Sequence, residues 1–360
     1  MTMPAIRTVG IVGVGTMGAG IAQVALEAGH RVLLWDAEPD AVDAATDRIL
    51  AGLTKRTTTA GHDAAWIADR LVELAPRPTL EAVAAEADLL IEAAIEDLEA
   101  KRAIFRTLAT TAAPNAILAT NTSALSVAAI AAATAHADRV IGLHFFNPAP
   151  VMRLVEVVST PTSDPAMIDR AVALMTAWGK TPVRCADSPG FIVNRVNRPF
   201  TIEALRILES GMADLDPIDA AMRAAGFPMG PFELMDLIGI DVNLAAARGV
   251  WEGLGRPERL RPSPIQELLV AAGQLGRKSG RGFYRYEDGA AVGTAFTPIQ
   301  STPAVDSLAP DVIVARIRDA IDAEMRLAEA AGVATADDIE LALRLGAGHP
   351  PRTSPRTIPT

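Results

Sequence analysis

The first half of the chain alternates short apolar runs with alanine-rich stretches of helical spacing. Thr8–Val12, Arg31–Trp35, Asp88–Ala93, Ile117–Thr120 and Val140–Leu143 are rich in Val, Ile or Leu and predict strands. Apolar strands separated by helices predict a parallel sheet covered on both faces, an α/β doubly wound layer. In such sheets ligands bind beyond the carboxyl ends of the strands. The residues that follow the five runs are Gly13-Val-Gly15-Thr-Met-Gly18, then Asp36, then Glu96 and Lys101, then Asn121-Thr122-Ser123, and last His144. Turn chemistry accounts for one or two of these and poorly for all five, so the chemistry is expected along one sheet edge.

The pattern changes near Asp187-Ser-Pro189-Gly190. Phe191 opens a helical pattern that runs through Glu209, and the chain reads as helical to about Gly280, broken by Gly226-Phe-Pro-Met-Gly230-Pro231. The expected organisation is a Rossmann-type domain over 1–188 and an all-α domain over 189–286. Residues 287–311, rich in Ala, Thr, Ser and Pro, read as a linker. Residues 312–350 read as a partial second copy of the helical domain. Arg316–Arg344 aligns without gaps on Arg195–Arg223 at an offset of 121, pairing Glu203 with Glu324, Gly211 with Gly332, Asp216 with Asp337 and Ile218 with Ile339. Leu345-Gly-Ala-Gly-His-Pro350 then echoes Ala224-Ala-Gly-Phe-Pro-Met229 with one inserted residue. Two alanine-rich helices resemble each other through composition alone, but here the Gly, Asp and Gly-x-Pro punctuation aligns as well. Residues 351–360 read as a disordered tail.

Composition narrows the function classes. Of 360 residues half are hydrophobic, and the net charge of −10 argues against nucleic-acid binding. Helix N-termini and local basic clusters can still hold an anionic ligand. The single cysteine, Cys185, excludes an internal disulfide and reads as a buried structural thiol in a reducing interior. No window approaches about 18 uninterrupted apolar residues, and Met1–Arg7 leads into a strand with no signal-peptide pattern. The expectation is a soluble, cytoplasmic protein with no metal.

Gly13-x-Gly15-x-x-Gly18 gains meaning from the strand before it and the helix after it. The first glycine permits a tight turn, the second lets backbone approach a pyrophosphate, and the third lets helix and strand pack closely. Val14, Thr16 and Met17 complete the loop. Asp36, at the end of the second run, stands where an acid binds a ribose 2′-hydroxyl and repels a 2′-phosphate, which favours NAD over NADP. FAD proteins share the fingerprint, so a flavin stays open.

Of five histidines, His30, His62, His136 and His349 lie in turn, loop or tail settings, and only His144 follows a sheet strand. Histidine is the side chain best suited to moving a proton near neutral pH; a satisfied core histidine is the competing reading. Glu156 lies within Leu-Val-Glu-Val-Val, where an unpaired carboxylate would cost several kcal/mol, about the penalty for burying a charge. A histidine N–H is a suitable partner, although the prolines of Asn147-Pro-Ala-Pro150 leave the register open, and strand alternation could instead turn the carboxylate to water. Ser123 and Asn194 could each orient a substrate oxygen, or serve as a helix cap and a surface residue.

These residues resemble a known family. Gly13–Gln23, Ala119–Ser123, Gly142-Leu-His-Phe-Phe-Asn-Pro148, Val151–Val157, Pro189-Gly-Phe-Ile-Val-Asn-Arg195, Pro228–Leu234 and Gly276–Tyr284 resemble the 3-hydroxyacyl-CoA dehydrogenases, 3-hydroxybutyryl-CoA dehydrogenases among them, in order from about residue 6 to Tyr286. The resemblance implies NAD-dependent, reversible oxidation of an L-3-hydroxyacyl-CoA to a 3-oxoacyl-CoA in β-oxidation or related acyl-CoA metabolism. It implies that His144 is the general base, that Glu156 supports it, and that Ser123 and Asn194 contact substrate or nicotinamide. It puts Glu96, Lys101, Asn147 and Lys278 at positions resembling cofactor contacts. Where family members carry lysines and a serine for the CoA phosphates, this chain offers Lys55 and Arg56 on a segment of uncertain alignment. Two alternatives stand beside this reading: a dehydrogenase of a small free hydroxy acid, and a non-catalytic NAD-binding protein. The resemblance also implies a homodimer, or a monomer if the partial repeat covers the dimer surface.

Overall fold

The computed structural model describes residues 5–296 and 307–351. The chain divides into two compact units, Met1–Phe191 and Ile192–Thr360, close to the expected boundary at 188.

The first unit is built on eight strands: β1 (Thr8–Val12), β2 (Arg31–Trp35), β3 (Leu74–Pro76), β4 (Leu89–Glu92), β5 (Ile117–Thr120), β6 (Val140–Phe145), β7 (Leu154–Ser159) and β8 (Thr181–Ala186). They form one sheet in the order β3-β2-β1-β4-β5-β6-β7-β8. Seven helices accompany it: α1 (Thr16–Glu27), α2 (Pro39–Ala60), α3 (Ala64–Val72), α4 (Leu80–Glu86), α5 (Leu98–Thr111), α6 (Val127–Ala131) and α7 (Pro165–Ala177). β1, β4, β5 and β6 are buried along their whole length, or nearly so, as their unbroken apolar runs require. Strand order reverses direction between β1 and β4, the switch point at which such sheets open a ligand crevice.

The five expected strands pair parallel, and the sheet becomes mixed only beyond them. β7 runs antiparallel to β6, because the chain between them is too short for a crossover to a parallel strand. β8 then pairs parallel with β7 at the sheet edge, where Pro182 can lack a donor without breaking an interior ladder. β3 and β8 were not legible as apolar runs, since both are edge strands that bury only part of their residues.

The second unit holds α8 (Val193–Val196), α9 (Arg198–Glu209), α10 (Leu215–Ala224), α11 (Pro231–Ile238), α12 (Ile240–Gly253), α13 (Pro264–Ala271), α14 (Pro310–Ala330) and α15 (Ala336–Gly346). The expected continuous helix from Phe191 is divided at Asn197 into α8 and α9, with Pro199 in the first turn of α9. The unit is not purely helical. β9 (Tyr284–Glu287) and β10 (Ala290–Thr294) form an antiparallel hairpin around Asp288-Gly289, both at positive φ. Asp-Gly between strands is a hairpin signal, masked here because β10 is small, polar and exposed throughout. The hairpin occupies the first part of the expected linker 287–311, and α14 takes up its last residues. The remainder, 297–306, and tail residues 352–360 lie outside the described residues.

Candidate functional site

The glycine-rich loop leaves β1 at the switch point. Gly13 sits at φ 88°, where a Cβ would come within 2.5 Å of the Ala94 amide beyond β4, and a Cβ on Gly18 would lie 1.9 Å from the Gly13 carbonyl. Both positions therefore require glycine. A Cβ on Gly15 would meet nothing within 4 Å, so that glycine borders open space. Gly15 also precedes α1 with no side-chain cap, and the first turn of α1 carries no acid. A helix N-terminus of this kind presents uncapped amides and favours an anion. At the end of β2, Asp36 accepts from the Val14 amide at 2.7 Å and from the Glu38 amide at 3.0 Å, which ties the acid to the loop. Arg48, on α2, reaches the Val14 carbonyl at 3.5 Å; its place midway along a helix carried no motif.

A second cluster follows β4 and β5. Glu92, fully buried, accepts from Lys101 Nζ at 2.6 Å, Thr120 Oγ1 at 2.7 Å and the Ala94 amide at 2.7 Å. Lys101, itself 1 % exposed, also pairs with Glu96 at 3.3 Å. Glu96 in turn accepts from Thr122 Oγ1 at 2.6 Å and from the Ser123 and Ala124 amides. Burial alone would raise the Glu96 carboxyl, but the Thr122 hydroxyl, Lys101 and the Ser123 amide outweigh it and hold it below its ordinary pKa. The structure thus brings Glu96, Lys101 and Ser123 together. The residue that joins them, Glu92, was missed because it ends an otherwise apolar strand.

The third element is the β6–β7 pair. His144 lies directly opposite Glu156 in the ladder, so the register left open by the prolines is settled. His144 Nδ1 lies 2.6 Å from Glu156 Oε2, with both side chains buried. A carboxylate there holds the proton of neutral imidazole on Nδ1, which leaves the Nε2 lone pair as the basic site. The rings of Phe146 and Phe191 stand 4.6 and 5.7 Å from the imidazole. The Asn121 side chain accepts from the Phe145 amide at 2.9 Å and joins the end of β5 to that of β6. Lys180 fastens the loop after His144: its Nζ donates to the Ala149 carbonyl at 2.5 Å and to the Met152 carbonyl at 2.9 Å. Burial pushes the Lys180 amine down to about 8. A lone lysine before β8 gave no sequence signal for this role.

The remaining sequence candidates have settings of their own. Asn147 is exposed in the loop 146–153. Arg56, on α2, pairs with Glu27 at 3.1 Å, and its neighbour Lys55 is exposed. Asn194, at the start of α8, and Lys278 belong to the second unit, where Lys278 pairs with Asp241 at 2.7 Å. The other histidines have structural settings: His30 accepts from Trp178 Nε1, His62 stacks on Trp66, His349 pairs with Asn197, and His136 is exposed. Cys185 is buried, as expected.

Residues 8–188 match the NAD-binding domain of 3-hydroxyacyl-CoA dehydrogenase, and residues 190–286 match the C-terminal domain of the same enzyme. The chain belongs to the 3-hydroxyacyl-CoA dehydrogenase family. Family membership makes it an NAD-dependent oxidoreductase and removes the flavin alternative. It is 50% identical over 291 residues to the 3-hydroxyadipyl-CoA dehydrogenase of Escherichia coli (strain K12), covering 80% of this chain and 61% of that protein, so this chain spans under two thirds of that relative. It is 41% identical over 289 residues to the mitochondrial hydroxyacyl-coenzyme A dehydrogenase of Homo sapiens, covering 78% of this chain and 92% of that one. A crystal structure of 3-hydroxybutyryl-CoA dehydrogenase from Escherichia coli K12 superposes with a TM-score of 0.84 at 38% identity, over 96% of this chain and 89% of that chain. Among the described residues no helix is long and apolar enough to cross a membrane, and no cluster of metal-ligating side chains occurs.

Proposed function

We propose that this chain oxidises an L-3-hydroxyacyl-CoA to the 3-oxoacyl-CoA, reversibly, with His144 as the base. The observation that carries the reading is the buried His144–Glu156 pair, held at 2.6 Å on the ligand edge of the sheet. The glycine loop fits the cofactor: Gly13 and Gly18 close it, Gly15 leaves it open, and the uncapped start of α1 faces that opening. Val14, Thr16 and Met17 would contribute backbone there, Asp36 would hold the ribose, and Glu96, Lys101, Ser123, Asn147 and Lys278 are the further contacts this reading names. NAD, when bound, supplies the hydride acceptor.

In oxidation, His144 takes the 3-hydroxyl proton on Nε2, and negative charge grows on the substrate oxygen. Glu156 holds the ring in the required tautomer and offsets the positive charge that develops on it. Phe146 and Phe191 keep an apolar surround, which strengthens that attraction. Ser123 and Asn194 would orient the hydroxyl and the thioester carbonyl. In reduction, the imidazolium returns the proton.

Lys55 and Arg56 are the cations this reading gives to the CoA phosphates. The 50% identity to a protein named for 3-hydroxyadipyl-CoA favours an acyl chain that ends in a free carboxylate. Comparing kcat/KM for 3-hydroxyadipyl-CoA and 3-hydroxybutyryl-CoA tests that choice. For the reaction itself, acetoacetyl-CoA-dependent oxidation of NADH is the assay. His144→Ala is expected to lower turnover by about 10²–10⁴-fold while NADH binding, followed by fluorescence titration, is retained. Unchanged turnover removes His144 from its role, and turnover of a free hydroxy acid without activity on the CoA ester removes the substrate class.

A further inference from the structure

Arg198 opens α9 and is buried, with 6 % of its surface exposed. Its neighbour Arg195 is held by Glu324 at 2.8 Å. Arg198 has no such partner. It meets two backbone carbonyls, with Nε 3.3 Å from that of Asn194 and Nη1 3.5 Å from that of Asn243 on α12. Both contacts are long for N–H···O bonds. Nη2 has no partner among the described residues and, unlike Nε of Arg139, it is not sealed from the surface. No acid stands close enough to offset the loss of water, which pushes the guanidinium down to about 10.

A buried cation without a counter-charge is costly, and an interior holds such a group most readily where an anion completes it. The guanidinium presents a planar fork that matches a carboxylate or a phosphate. Its setting selects between them. Arg195 is already engaged, so one cation stands here. That balances the single charge of a carboxylate better than the larger charge of a phosphate. Position adds a second argument. Asn197, between α8 and α9, keeps right-handed dihedrals at φ −80° and ψ −6°. Asn194 and Arg198 therefore share one helix face, a turn apart. The Arg198 side chain runs back along that face, as its contact with the Asn194 carbonyl shows. Asn194 is the residue that the proposed reaction gives to the thioester carbonyl. One turn is about 6 Å of helix axis, a distance of a few carbon–carbon bonds. An anion on Arg198 thus lies a short acyl chain away from the thioester. The CoA phosphates leave the thioester in the other direction, beyond the pantetheine arm.

We infer that Arg198 is a carboxylate subsite. Its guanidinium takes the free carboxylate at the far end of the acyl chain, and so selects dicarboxylic 3-hydroxyacyl-CoA esters over fatty ones of the same length. The inference rests on the reading that this chain oxidises 3-hydroxyacyl-CoA esters, and adds to it the residue that sets the acyl end.

Two matched esters test it. 3-Hydroxyadipyl-CoA and 3-hydroxyhexanoyl-CoA have acyl chains of equal length and differ only in the terminal carboxylate. The unaltered chain is expected to favour the first in kcat/KM by about 10²-fold or more, as a site built for a polar group rejects an analogue that lacks it. In Arg198→Met that preference is expected to vanish, mainly through KM, while the thermal midpoint stays or rises because a buried charge has gone. Equal use of the two esters by the unaltered chain overturns the inference, and so does a preference that survives in Arg198→Met. Binding separates the subsite from the reaction. Adipyl-CoA and hexanoyl-CoA lack the hydroxyl and cannot be oxidised, so titration calorimetry with both reads the subsite alone. Tighter binding of adipyl-CoA by the unaltered chain, lost in Arg198→Met, supports the subsite even where neither hydroxy ester is turned over, an outcome that removes the proposed reaction instead. Equal binding of the two by the unaltered chain overturns the subsite whatever the turnover.

Discussion

Glu156 concentrates the energetics of the active edge. It is fully buried, and its carboxylate lies against the His144 imidazole. Removing the carboxylate leaves the imidazole without an orienting acceptor. Glu156→Ala is therefore expected to cost about 3 kcal/mol of stability in urea unfolding, the scale for breaking a buried pair. Glu156→Gln keeps the volume but can present an amide donor to Nδ1. It is expected to lower kcat by about 10²-fold or more through the wrong tautomer, with little change in KM. A kcat within twofold of the unaltered enzyme would separate Glu156 from the chemistry. At this scale the sequence was legible where a polar residue interrupts apolar neighbours, as His144 and Glu156 do. It was silent on Glu92 and Lys180, whose roles appear only when partners 9 and 31 positions away come within reach.

The glycine loop and the β6–β7 connection are positioned by their elements. Gly18→Ala forces a methyl onto the Gly13 carbonyl and is expected to cost about 2 kcal/mol by overpacking. NADH binding by titration should fall more steeply than stability, because the displaced backbone is the part that faces the cofactor. Lys180→Met removes the donor shared by Ala149 and Met152. Amide exchange in residues 146–153 is expected to quicken, while β6 and β7 stay protected. Strand positions were legible wherever burial on both faces demanded a continuous apolar run. Register was not, because it depends on a loop rich in proline. The β9–β10 hairpin escaped for a different reason: it buries little, and hydrophobic patterning records only what is buried.

Across the molecule, the second unit carries its own dependence on pH. Asp219 is fully buried and accepts from the Phe232 and Glu233 amides and from Tyr284 Oη, joining α10, α11 and β9. Burial pushes its carboxyl up to about 7 against these hydrogen bonds. A carboxyl that holds its proton more tightly when folded contributes most below its ordinary pKa of 3.8, and that contribution is lost as pH rises to about 7. The stability of Asp219→Asn relative to the unaltered chain is therefore expected to improve between about pH 4 and pH 7 and to level off above. Urea midpoints measured across that range check it, and a constant difference would contradict the shift. At this scale the change from strand spacing to helical spacing near Pro189 was legible, and the chain divides close to it. How α14 and α15 pack on the rest of the second unit was not, since a helical pattern does not name its partner.

Glu92 ends β4, yet its side-chain partners sit on α5 and β5. Lys101 is 1 % exposed, so its ammonium has no water to fall back on. Both charges must be buried in the same step of folding, because either one alone would be stranded in the interior. The edge between β4 and β5 is thus built all at once.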